Sequence, residues 1–189
     1  AIVQTYALIK HLRDLGHDAK LINYQPLYFI RQVYRPAFGI VKTYQKIKKI
    51  VKFNDFRNKY IPQTKRHINY STLKSIKADY FICGSDQIWN KGVTDNKIDE
   101  AFFLNFVSDS STRIAYAASA GHFQLDNTYN YLLEKFDFIG VRETSLMDNI
   151  NLINKDIKVQ TVLDPCLLIE DYDDVISLRR VPENEFVLS

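Results

Sequence analysis

Four short clusters in this chain carry side chains able to do chemistry. Arg142-Glu143-Thr144-Ser145 places a guanidinium beside a carboxylate and a hydroxyl. A guanidinium is a planar fork that fits carboxylate or phosphate in two-pronged fashion. Gly84-Ser85-Asp86-Gln87-Ile88-Trp89-Asn90 sets Asp86, Gln87 and Asn90 around the chain's only Trp. An aromatic plate among such groups suits a polar ring such as a sugar. Trp89 capping the core above a tight turn is the structural alternative. Ser119, Gly121 and His122 form the third cluster, and Asp164-Pro165 the fourth. Turn chemistry is the alternative for Ser119, Gly121 and Asp164-Pro165, a surface-loop histidine for His122, and a helix-dipole or capping role for Glu143 and Ser145. For Arg142 the structural alternative is an ion pair with Glu143 or Asp164.

Each cluster follows a run that reads as a strand. Residues 80–83, 113–117, 138–141 and 159–162 are such runs, separated by segments with helical spacing. Helices are expected at residues 70–76, 129–136 and 142–150, an acidic one at 171–178, and a short apolar segment at 102–106. Strands interleaved with helices argue for an α/β fold with a parallel, doubly wound sheet. In such sheets ligands bind beyond the carboxyl ends of the strands, so the clusters are expected to converge there.

The chain opens within a helix. Leu8, Leu12 and Leu15 recur on one face, and Gly16 supplies the stop. Residues 19–24 read as a strand closed by Pro26. A helix leading into a strand is the second half of a βαβ unit, so the first strand and its anion-binding turn are expected upstream of Ala1. Residues 186–189 resemble the start of a further strand. The expected organisation is a Rossmann-like domain over 1–180, lacking its first strand. Residues 181–189 would then begin a second domain or an interdomain crossover.

Residues 36–66 differ in character. Ile40, Tyr44, Ile47 and Val51 mark one face of a helix, while Lys42, Lys46, Lys48, Lys49 and Lys52 occupy others. The simpler reading is a solvated helix packed through its apolar stripe. The functional reading for residues 42–66 is attraction to an anionic membrane surface or a phosphorylated lipid carrier. No base-stacking motif accompanies the lysines, so nucleic acid ranks behind both.

Composition bounds the rest. The 189 residues are 46% hydrophobic with a net charge of +3, too small to argue for nucleic acid by itself. Cys83 and Cys166 lie far apart in apolar surroundings and read as reduced core residues. The four His have no metal-ligand spacing.

Six segments, in order, resemble the polysaccharide pyruvyl transferase family. They are Val3-Gln4-Thr5-Tyr6-Ala7-Leu8, Leu15-Gly16-His17, residues 84–90, Ala115-Tyr116-Ala117-Ala118-Ser119, Gly140-Val141-Arg142-Glu143-Thr144-Ser145, and Leu163-Asp164-Pro165 with Leu167-Leu168. The resemblance spans nearly the whole chain. It implies the N-terminal half of a two-domain, GT-B-like transferase. It also implies transfer of a pyruvyl group from phosphoenolpyruvate to a sugar or lipid-linked saccharide, forming a ketal and releasing phosphate. Phosphoenolpyruvate would be the co-substrate, with no cofactor or metal. The setting would be the cytoplasm, at the inner membrane face if the acceptor is lipid-linked. Arg142 would bind the phosphoenolpyruvate anion. Asp86, Gln87, Trp89 and Asn90 match an acceptor-side loop, and Ser119 and Glu143 complete the expected substrate-binding set.

Departures from the family pattern matter too. Its opening strand and Gly-Asn-rich turn are expected upstream of Ala1, and the second domain, expected to carry a catalytic His, beyond Ser189. None of the four His matches that position, so the isolated chain is expected to be inactive. Cys166 stands where Thr is common. A GT-B glycosyltransferase using a nucleotide sugar and a non-catalytic sugar-binding remnant are the competing readings.

Overall fold

A computed structural model describes residues 2–175. Its centre is a four-stranded, all-parallel sheet of β1 (Tyr80–Gly84), β2 (Thr112–Ala118), β3 (Phe138–Val141) and β4 (Val159–Thr161). The mixed α/β architecture is consistent with a Rossmann-like fold. Strand order follows chain order, so the order does not reverse among the described strands. A doubly wound sheet requires such a reversal.

Six α-helices accompany the sheet among the described residues. They are α1 (Ile2–Asp14), α2 (Leu27–Tyr34), α3 (Ile40–Tyr60), α4 (Tyr70–Leu73), α5 (Asn130–Leu133) and α6 (Thr144–Ile153). The main core packs Ala115 and Ala118 of β2 and Ile139 and Val141 of β3 with Leu132 and Leu133 of α5 and Leu146 and Ile150 of α6. Phe103, Tyr129 and Trp89 complete it. A second cluster gathers Leu73, Phe81, Leu104 and Phe106. A third joins Tyr6 and Ile9 of α1 to Ile61, with Phe56, Tyr60 and Tyr172 against them.

Several elements differ from the sequence expectation. Residues 19–24 form isolated parallel bridges, Leu21 with Gln63 and Tyr24 with His67, rather than a strand of the sheet. Pro62 accepts from the Leu21 N–H but has no N–H to return, and the Asn23 N–H goes to Thr64 Oγ1. The ladder therefore cannot extend. On α1 the buried residues are Gln4, Tyr6, Ala7 and Ile9, whereas Leu15 is exposed. Helix α2, directly after Pro26, had no counterpart in the sequence reading. The helices expected at 70–76 and 129–136 shorten to α4 and to α5 preceded by a 3-10 turn. Residues 102–106 begin within a 3-10 turn, Glu100–Phe103, capped by Asp99. Only a turn is present within the described part of 171–178. The remainder of that segment, and residues 181–189, lie outside the described residues.

Cys83 and Cys166 are both free thiols. Burial pushes the Cys83 thiol well above its ordinary range.

Candidate functional site

The carboxyl ends of β1 and β2 are shaped by unusual backbone. Gly84 has φ 134°, Ser85 φ 66° and Ala117 φ 51°. A side chain at position 84 would collide with β2, since a Cβ there would lie 2.1 Å from the Tyr116 carbonyl oxygen. Ser85 N–H then donates to that carbonyl at 3.0 Å. At Ala117 the β2–β3 register shifts between Ala115 and Ala118. Such a bulge re-aims side chains at a strand end. Left-handed Ser and Ala cost energy and gather where surrounding structure holds them for a purpose.

Beyond these ends the side chains interlock. Arg142 follows β3 directly and precedes α6. Its Nε donates to Glu143 Oε1 at 3.1 Å, and its Nη1 donates to the Ser85 carbonyl at 3.2 Å and to Asp164 Oδ2 at 3.4 Å. Among the described residues, Nη2 donates to none. Ser119 Oγ donates to Glu143 Oε1 at 2.8 Å and accepts from the Gly121 N–H at 3.0 Å. Glu143 Oε2 is buried and has no hydrogen-bond partner among the described residues. Asp164 Oδ2 also accepts from Gln4 Nε2 of α1, and Oδ1 accepts from the Cys166 N–H at 3.0 Å. The cluster is thus assembled from α1, the β1, β2 and β3 ends, and the turn after β4.

Electrostatics follow from this wiring. Burial pushes the Asp164 carboxyl up, but the Cys166 N–H, Gln4 and Arg142 together outweigh it and hold it below its ordinary value. For Arg142, burial lowers the pKa, and the hydrogen bonds and charges of Glu143 and Asp164 reverse this to a net rise. Arg142 stays cationic, at the place where an anion would meet the first turn of α6.

The remaining expected residues fall beside this cluster. Ser119 N–H donates to the Asp86 carbonyl and Trp89 N–H to the Ser119 carbonyl, both at 3.2 Å, so residues 86–89 lie against residue 119. Asn90 Nδ2 donates to Gln87 Oε1 at 3.1 Å, and Gln87 is exposed. Trp89 differs from the open aromatic plate considered above. It is 1% exposed, stacks on Phe103 with ring centroids 5.2 Å apart, and donates Nε1–H to the Phe102 carbonyl at 3.1 Å. Its ring supports the loop from below. His122 is exposed, and Ser145 forms no capping bond because Glu143 occupies the cap position of α6. Gln4 was not foreseen in the site. The signal was a polar residue on the apolar side of α1, hidden by the Leu8–Leu12–Leu15 spacing.

A family model described as polysaccharide pyruvyl transferase matches residues 1–187. The chain belongs to that family. It is therefore a member of a transferase family, and Arg142, Glu143, Ser119 and Asp164 all lie within the matched span. No curated protein and no solved structure matches it. Among the described residues no helix is long and apolar enough to cross a membrane.

Proposed function

We propose that the chain serves transfer of a pyruvyl group from phosphoenolpyruvate to a hydroxyl pair of a sugar or lipid-linked saccharide in polysaccharide synthesis. The enol CH2 takes up a proton, one hydroxyl oxygen bonds to the adjacent carbon, phosphate leaves with its bond electrons, and the second hydroxyl closes the ketal. The two hydroxyl protons are released. Phosphoenolpyruvate is the co-substrate, and the reaction belongs on the cytoplasmic side. The observation that carries this reading is Arg142, a cation fixed at the carboxyl edge of a parallel sheet with Nη2 unengaged among the described residues. That edge of the guanidinium suits the carboxylate or phosphate of the donor. Glu143 Oε2, buried and unpartnered among the described residues, suits an acceptor hydroxyl. Asp86, Gln87 and Asn90 border the same edge and supply polar groups for the acceptor, with Trp89 fixing their loop. The test is release of inorganic phosphate from phosphoenolpyruvate by the complete gene product, dependent on added acceptor saccharide. Release that needs both substrates supports the reading. Turnover of a nucleotide sugar in place of phosphoenolpyruvate overturns it.

A further inference from the structure

Helix α3 turns its apolar stripe outward. Ile40 is 89% exposed, Tyr44 65%, Ile47 53% and Val51 51%, and Phe38 in the turn before the helix is 96% exposed. The half-buried residues of α3 are instead Thr43, Lys46, Ile50, Asn54, Phe56, Arg57 and Tyr60, and of these Phe56 and Tyr60 pack against the third cluster. This reverses the simpler sequence expectation, in which the stripe was the packing surface. The turn between α2 and α3 is nonetheless held in place. Lys46 Nζ donates to the Arg35 carbonyl at 2.7 Å and to the Gln32 carbonyl at 3.3 Å. Thr43 Oγ1 donates to the Ala37 and Gly39 carbonyls at 3.0 and 2.9 Å. Phe38 and Ile40 therefore project from a tied corner.

Charge decides what this face fits. Between residues 27 and 60 the only acid is Asp55, against nine Lys and Arg. Lys42, Lys48, Lys49 and Lys52 are all exposed around the stripe. A second copy of the chain would bring lysine against lysine, because a two-fold contact pairs a surface with itself. An apolar row with aromatic residues at its head and lysines along its flanks matches an interfacial helix, with chains in the acyl boundary and ammonium groups at anionic headgroups.

We propose that α3 and the turn before it dock on an anionic lipid surface, with Phe38, Ile40, Tyr44, Ile47 and Val51 entering the headgroup boundary and Lys48 and Lys52 meeting lipid phosphates. The helix lies on the membrane rather than through it. This rests on an observation separate from the Arg142 cluster, to which α3 contributes no residue.

Co-sedimentation with vesicles of phosphatidylcholine alone, and of phosphatidylcholine mixed with phosphatidylglycerol, tests this on the whole chain. Binding to the mixed vesicles is expected, weakening as salt rises. Replacing both Lys48→Gln and Lys52→Gln should weaken it about 30-fold. A Phe38→Ser, Ile40→Ser variant should bind less at every salt concentration. Both variants alter exposed side chains, and matching thermal melts verify their folding. Absent binding, equal binding to both vesicle types, or variants that bind like the parent would overturn the proposal. So would a concentration-dependent dimer abolished by the same substitutions, which would assign the face to a second copy.

Discussion

Ser119 Oγ and Arg142 Nε share one acceptor, Glu143 Oε1, at 2.8 and 3.1 Å. Two strand ends are thereby tied through a single carboxylate oxygen. The other oxygen, Oε2, is left buried and unpartnered among the described residues. A buried carboxylate oxygen without a donor is costly, and a ligand hydroxyl would remove that cost. Ser119→Ala should therefore destabilise the protein by about 1–2 kcal/mol, since the Gly121 N–H loses its acceptor as well. Thermal melts of the two proteins check this. An unchanged melting temperature would show that Ser119 does not brace Glu143.

Asp164 supplies a pH signature. Its folded pKa lies below the ordinary 3.8, so its contribution to stability is complete above that value. That contribution is lost as pH falls through the depressed folded value. Other carboxylates titrate nearby, so the informative quantity is the difference in melting temperature between the parent and Asp164→Asn. The parent's advantage should shrink as the pH is taken below about 3.8. An advantage that grows with acidity would have the wrong sign.

Gly84 is fixed by close approach as well as by conformation. A Cβ would sit 2.1 Å from the Tyr116 carbonyl oxygen at φ 134°. Gly84→Ala must push β1 from β2 and should cost at least about 2–3 kcal/mol. Urea unfolding measures it, and a loss near zero would contradict the packed geometry.

Trp89, the only Trp, reports on its own burial. Its emission should be blue-shifted and resist quenching by acrylamide. Direct quenching by a bound saccharide is not expected, because Phe103 covers the ring. Ready acrylamide quenching would place the ring at the surface, as an acceptor plate requires.

Much of this was legible in the chain. The runs read as strands at 80–83, 113–117, 138–141 and 159–162 became the four parallel strands; the central pair, β2 and β3, is the more deeply buried, as apolar segments between two neighbours should be. Arg142, Glu143, Ser119 and Asp164 met because the ends of parallel strands share one edge. Gln4 was hidden because periodicity reports which residues are apolar, whereas burial on α1 is set by what packs against it. The stripe on α3 misled for the same reason. Ala117 gave no sequence signal, since nothing local marks an alanine forced into a left-handed conformation by a bulge.

The central claim concerns Arg142 and is tested by titrating phosphoenolpyruvate calorimetrically into parent and Arg142→Lys protein, with thermal melts on the same preparations. Lysine keeps the charge but loses the planar fork. The substitution should weaken phosphoenolpyruvate binding by roughly 30- to 1000-fold, equivalent to about 2–4 kcal/mol. Stability should fall by less, because Asp164 retains Gln4 and the Cys166 N–H and Glu143 retains Ser119. Equal phosphoenolpyruvate binding by a folded Arg142→Lys protein, with only the melting temperature lowered, would contradict the claim and leave Arg142 as a structural ion pair.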